Sequence, residues 1–200
     1  MRGQTLSWAP APERPRHVTK IRAYALWSLV EALRMKFGAR GLHGVRMGLS
    51  RERRAQFRTL PAQSAWSEHG LYVDLLRSAV DALYGGAPVG AFELARAARQ
   101  IDAKRMFAAL GIFDSPRVFL SQLRSIRSHY FDGGAVEGTV VTEGLLRFEL
   151  TGLVTPCAVV ANDVAGGVAG MLESSGARDI HLIGAETTVR SCTAWIAFKA

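Results

Sequence analysis

The residues able to do chemistry are scattered rather than gathered. Five histidines, His17, His43, His69, His129 and His181, stand far apart, and Cys157 and Cys192 lack the clustered partners of a zinc site. Serine, histidine and aspartate all occur, but no Gly-x-Ser-x-Gly elbow presents a serine for nucleophilic attack. Gly85-Gly86 and Gly166-Gly167 lack the lysine and Ser/Thr that complete a phosphate-cradling loop. No pair of carboxylates stands at hydrolase-like positions. The expectation is a protein that is not an enzyme, with no catalytic residues and no metal.

Two patterns remain. Arg51, Arg54 and Arg58 share one face of a short helix and form a basic patch. Such a patch is first a solvated face and second a contact for an anion or a partner. Nucleic acid is disfavoured, because neither interleaved aromatics nor a helix-turn-helix spacing accompanies it. The other pattern is aromatic: Trp66, Tyr72, Phe107, Phe119 and Tyr130 are the candidate lining of a ligand pocket, although aromatics at helical spacing serve as ordinary core equally well. Trp66 falls in a loop ahead of a helix, where a pocket mouth would lie.

The elements that position these residues are read from periodicity. Ile21, Tyr24, Trp27, Val30, Leu33 and Phe37 recur at helical steps, with Gly38 as an exit. A short turn over 41–47 and a basic helix over 51–57 follow. Leu71, Leu75, Ala79 and Leu83 mark a strong helix after Ser67, ended by Gly85-Gly86, and residues 91–110 repeat the pattern. Asp114-Ser115-Pro116 opens a further helix, with serine at the cap and proline at the first helical position.

At Asp132-Gly133-Gly134 the period changes to two. Val136 to Val141 and Leu145 to Leu153 read as strands around Glu143-Gly144, and Asp179 to Ile183 and Thr187 to Phe198 as a second pair joined near Gly184. Between the pairs, 155–175 is a helix whose small residues, Gly166, Gly167, Ala169 and Gly170, predict close packing against a sheet or a partner. The predicted fold is α+β, an N-terminal helical layer packed on a four-stranded antiparallel sheet of ββ-α-ββ order. Residues 1–18 are expected to be a flexible, basic and proline-rich lead-in, and 19–200 a single domain.

Composition agrees with a globular chain. Of its 200 residues, 48% are hydrophobic, which excludes disorder. No apolar run reaches the ~20 residues of a membrane span, and the first residues lack a signal peptide's apolar stretch, so the cytoplasm is the expected location. Both cysteines read as small buried hydrophobes. The net charge of +8 is uneven: residues 1–60 carry 13 Lys and Arg against 3 Asp and Glu, and residues 132–200 carry 4 against 8. Head-to-tail association, anion binding or solvated arginine-rich faces would each produce that asymmetry.

Several segments, in order, resemble a known family: LRMKFG at 33–38, LSRERR at 49–54, Ser64 to Trp66 with Tyr72 following, Asp114-Ser115-Pro116, YFDGG at 130–134, LTG at 150–152, Gly176-Ala177-Arg178, and the strand from Cys192 to Phe198. Together they resemble a group of similar-length proteins of unknown function, multiplied in myxobacteria and related to vinyl-4-reductase-type and heme-NO-binding-like domains. The resemblance implies a sensory fold that binds heme, aromatic effectors or acyl chains between helices and sheet. A heme-binding relative would use an axial histidine on a helix facing the pocket and a Tyr-Ser-Arg signature on the propionates. That signature is missing here, and His129 is the best axial candidate. Relatives of the vinyl-4-reductase type place two cysteines near the last hairpin; here Cys192 stands alone, with Thr187 or Thr188 near the other's place.

The expected function is a non-enzymatic sensory or regulatory module that binds an apolar small ligand between helices and sheet, with no cofactor and heme on His129 as the lesser alternative. The second expectation is a ligand-free interaction or scaffold module. The expected partners are a second copy of the chain or another protein, with an apolar small molecule; nucleic acid and a membrane span are not expected.

Overall fold

A computed structural model describes residues 17–107 and 114–199. A short strand, β1 (Lys20–Arg22), leads into α1 (Ala23–Gly48), which Gly38 breaks into two stretches. At φ 65° and ψ −170°, Gly38 takes a conformation that a side chain would strain, so the exit read from sequence is a kink between two helical pieces. Next come α2 (Arg51–Arg58), capped by the Ser50 hydroxyl, β2 (Trp66–Glu68) and α3 (His69–Tyr84). Trp66 thus lies on a strand and not in a loop: β2 pairs antiparallel with β1, Ile21 opposite Ser67. These two short strands were not legible, because three residues are too few to show a period.

The chain continues through α4 (Val89–Asp102), prolonged by a π-helical turn Ala103–Phe107, then α5 (Pro116–Ser121) and α6 (Leu123–Tyr130). As the sequence predicts, Ser115 caps α5 and Pro116 opens it. Two hairpins flank the last helix: β3 (Ala135–Thr142), β4 (Leu145–Thr151), α7 (Ala158–Ser174), β5 (Arg178–Thr187) and β6 (Ser191–Lys199).

The four long strands form one antiparallel sheet in the order β3-β4-β6-β5. On β4, Leu146, Phe148 and Leu150 alternate inward, opposite Ile196, Ala194 and Cys192 of β6. The first hairpin turns at Glu143-Gly144. The second does not turn at Gly184: Gly184 sits at a bulge within β5, and the chain reverses at 188–190, where the Thr188 hydroxyl accepts the Ser191 N–H. α+β architecture with helices preceding the sheet is what the periodicities predicted.

Helix α7 lies between α4 and the strands β5 and β6. Two of its glycines face the backbone of α4: a Cβ on Gly166 would meet the Phe92 carbonyl, and one on Gly170 the Arg96 carbonyl. The core runs through α1, α3, α4 and α7 to the sheet, with Leu26, Leu29, Leu33, Leu75, Leu76, Leu94 and Phe148 fully buried. Among the described residues, no helix is long and apolar enough to cross a membrane.

Candidate functional site

Polar groups are buried where α3, α4, α6 and α7 meet. Arg99, Asp102 and Asp163 are 5%, 1% and 6% exposed, which is rare for charged side chains and demands partners. Arg99 and Asp102 lie one turn apart on α4 and pair directly, Nη1 donating to Oδ2 at 2.8 Å. Asp102 also accepts from the Tyr130 hydroxyl at 2.8 Å and from the Ser28 hydroxyl. The second Arg99 nitrogen donates to the Tyr72 hydroxyl at 3.2 Å, which in turn donates to Asp163 Oδ1 at 2.6 Å. The guanidinium stands 4.5 Å from the centre of the Tyr130 ring, and Tyr24 meets that ring edge-on at 5.0 Å.

One cation therefore serves two buried carboxylates. Burial pushes Asp163 up to about 6, although Arg99 and the Tyr72 hydroxyl both favour its anion. Burial likewise holds the Asp102 carboxyl above its usual range, against Arg99, Ser28 and Tyr130. Arg99 stays charged.

Beside this cluster a crevice of about 70 Å³ opens between α6, α7 and the β3–β4 hairpin. Leu123, Ile126, Val136, Leu150, Val164, Val168 and Met171 give it apolar walls; Tyr130, Arg99 and Asp163 form its inner end, and Arg127 also lines it. Arg127 is turned to the backbone, donating to the Gly134 carbonyl at 2.7 Å and to that of Gly133.

The aromatic candidates fare differently. Tyr130 lines the crevice, and Tyr72 supports it through Asp163. Phe119 is core under α5. Trp66 borders a separate surface depression with Pro61 and Leu71, its ring 4.0 Å beneath the Arg22 guanidinium. Phe107 ends the π-helical turn, and its side chain lies outside the described ones. Arg51, Arg54 and Arg58 do come together, around a surface depression with Met47 and Ala55. Arg99, Asp102 and Asp163 escaped the sequence reading. The available signal was Asp163 itself, an acid in the middle of a helix rich in Ala, Val and Gly.

Of the histidines, His17, His43, His129 and His181 are exposed. Only His69 is buried, stacked on Tyr72 and edge-on to Phe131 at 5.9 Å, and burial pushes it down to about 4 despite the Asp132 carboxylate. No group of three His, Cys, Asp or Glu side chains able to hold a metal ion occurs among the described residues.

No protein-family model matches the chain, and no curated protein matches it. Solved structures do. An Fe(II) unliganded H-NOX protein from K. algicida superposes with a TM-score of 0.62 at 11% identity, covering 90% of this chain and 97% of that one. The chain has the H-NOX fold. An oxygen-binding H-NOX domain related to soluble guanylate cyclases superposes at 0.61 with 9% identity, over 90% of this chain and 95% of that one. A structure from work on heme distortion in the H-NOX family superposes at 0.60 with 9% identity over the same shares.

These neighbours overturn the expectation of a domain without a cofactor, since H-NOX structures with this fold are described through their heme. The crevice as packed does not fit that group. Its volume of about 70 Å³ is far below the ~300 Å³ or more of a pocket for a drug-sized ligand. No histidine lines it, and the Tyr130 hydroxyl is already given to Asp102. His129 is exposed, so it is not the facing imidazole that an axial role needs.

Proposed function

We propose that the chain is a sensory or regulatory module, not itself an enzyme, that takes up a small, largely apolar molecule in the crevice between α6, α7 and the first hairpin. One observation carries the reading: two charged side chains, each more than nine-tenths buried, line a crevice whose other walls, Arg127 and Tyr130 apart, are apolar. Charged groups that border a crevice instead of being sealed under apolar side chains keep polar atoms available to an incoming molecule. The fold supports the reading, since solved H-NOX neighbours include an oxygen-binding domain related to guanylate cyclases. The order of the sequence segments supports kinship with the myxobacterial group and its vinyl-4-reductase-type relatives.

Native mass spectrometry of gently purified protein, compared with the same sample denatured, tests the proposal. A mass excess lost on denaturation supports it and gives the ligand's chemical class; a clean mass together with no ligand-dependent change in melting overturns it. Heme is the group to which the fold points, so a hemin titration belongs beside it. A Soret band saturating at one equivalent would assign the interior to heme and displace the small-ligand reading.

A second reading, a protein-interaction module, draws on the basic patch. Arg51 and Arg58 form no side-chain ion pair or hydrogen bond with the described residues, and Met47 beside them is 56% exposed. An acidic partner segment would suit that surface, in the cytoplasm or wherever the chain works. Charge reversal of Arg51 and Arg58 that leaves melting unchanged but abolishes retention of an acidic partner would establish it.

A further inference from the structure

The inner end of the crevice offers more than apolar contact, and its hydrogen bonds are incompletely used. Tyr72 takes one oxygen of Asp163; the other, Oδ2, accepts no hydrogen bond from the described residues. Arg99 spends one nitrogen on Asp102 and one on Tyr72, while its Nε–H is given to no described residue. Both residues line the crevice, and Arg99 Nε lies beside Gly167, where even a Cβ would approach it only to 3.7 Å. One small cavity is thus lined by an acceptor and a donor, each with a hydrogen-bonding atom that no described residue engages.

Charge narrows what can sit there. The cations at the crevice are Arg99 and Arg127; the anions are Asp163 and, bonded to Arg99 from behind, Asp102. Asp132, which faces Arg127 from the surface, is engaged with Thr19 and Lys20. Two positive charges therefore meet two negative ones. A carboxylate entering this end would bring a third anion, and an ammonium a third cation, each desolvated without a dedicated counter-charge.

We infer that the crevice selects a small neutral molecule with an apolar body and one head group that both donates and accepts, such as an alcohol. The head gives its proton to Asp163 Oδ2 and takes one from Arg99 Nε–H, while the body lies along Val164, Val168 and Met171. This inference rests on the proposed ligand-binding role of the crevice and specifies the chemistry that would be recognised there.

The test compares four probes of similar size at pH 7.5 by ¹H–¹⁵N NMR titration: n-butanol, its isomer methyl propyl ether, n-butyrate and n-butylammonium. The readouts are the Arg99 Nε–H signal and the amides of Gly167 and Val168. Butanol should bind ~10-fold or more tightly than the ether, since a hydrogen bond to a charged group is at stake, and should outbind both charged probes. If ether and butanol bind equally at Gly167 and Val168, the head-group inference fails while the ligand-binding role stands. Tighter binding of butyrate or butylammonium overturns the neutral preference. If none of the four moves these signals, both the inference and the ligand-binding role fall.

Discussion

Asp163 and His69 set opposing pH responses within the same fold. A carboxyl raised by burial stabilises the folded state while protonated, so the Asp163 contribution is complete below pH ~4 and is lost as pH rises through about 6. The depressed His69 works in the other direction: its contribution is complete above pH ~6.5 and is lost as pH falls through about 4. Relative to the unmodified protein, Asp163→Asn should gain on the order of 3 kcal/mol of unfolding free energy between pH 4 and 6.5, and His69→Gln should lose a similar amount. Urea denaturation across that range measures both; parallel curves for either variant and the parent would show that the residue is not titrating in the interior. Arg99→Met, which strands two buried carboxylates, should cost about 3–5 kcal/mol, and adding Asp102→Asn should recover part of it, again by denaturation. Tyr72 and Tyr130 were legible as aromatics worth attention. Their polar partners were not, because the pairings join α3 to α7 and α6 to α4 and no local spacing announces them.

Helices α4 and α7 touch through backbone, and their glycines are not equivalent. Gly166→Ala and Gly170→Ala place a methyl against main-chain carbonyls that have nowhere to move, so each should cost about 1–3 kcal/mol through overpacking. Gly167→Ala meets only the Arg99 side chain, at 3.5 Å, an ordinary contact; helix propensity should make it neutral or stabilising by up to ~1 kcal/mol. Thermal melting of the three variants separates them, and equal losses would disprove a seam confined to two positions. The glycine stripe announced a close approach but not to what, since small side chains look the same against a helix, a sheet or a partner. The period-two pattern of β4 gave that strand correctly, because one face is buried and the other half-buried. Gly184 misled for a related reason: a glycine amid alternating residues marks a turn or a bulge alike.

Over the whole molecule, the α+β order was legible, whereas the expectation of no cofactor failed, since the H-NOX likeness lies in shape, with about a tenth of residues identical. Residues 18–22 carry a consequence of the way the parts are tied. The Val18 N–H donates to Gly152 at the end of β4; Thr19 and Lys20 N–H both donate to Asp132 after α6; the Thr19 carbonyl accepts from His69 at the start of α3; Ile21 bridges Phe131. Asp132→Ala should speed amide exchange at Thr19 and Lys20 and lower stability by about 1 kcal/mol, and unchanged exchange at those two amides would refute the tie. The Tyr24 hydroxyl adds a last stitch to the His129 carbonyl. A single short thread is thus sewn to β4 and to the exit of α6, two sides of the crevice, whereas α7 on the remaining side is packed backbone to backbone on α4. Like the cord of a drawstring purse, that thread draws together walls of the crevice that lie more than a hundred residues from it in sequence.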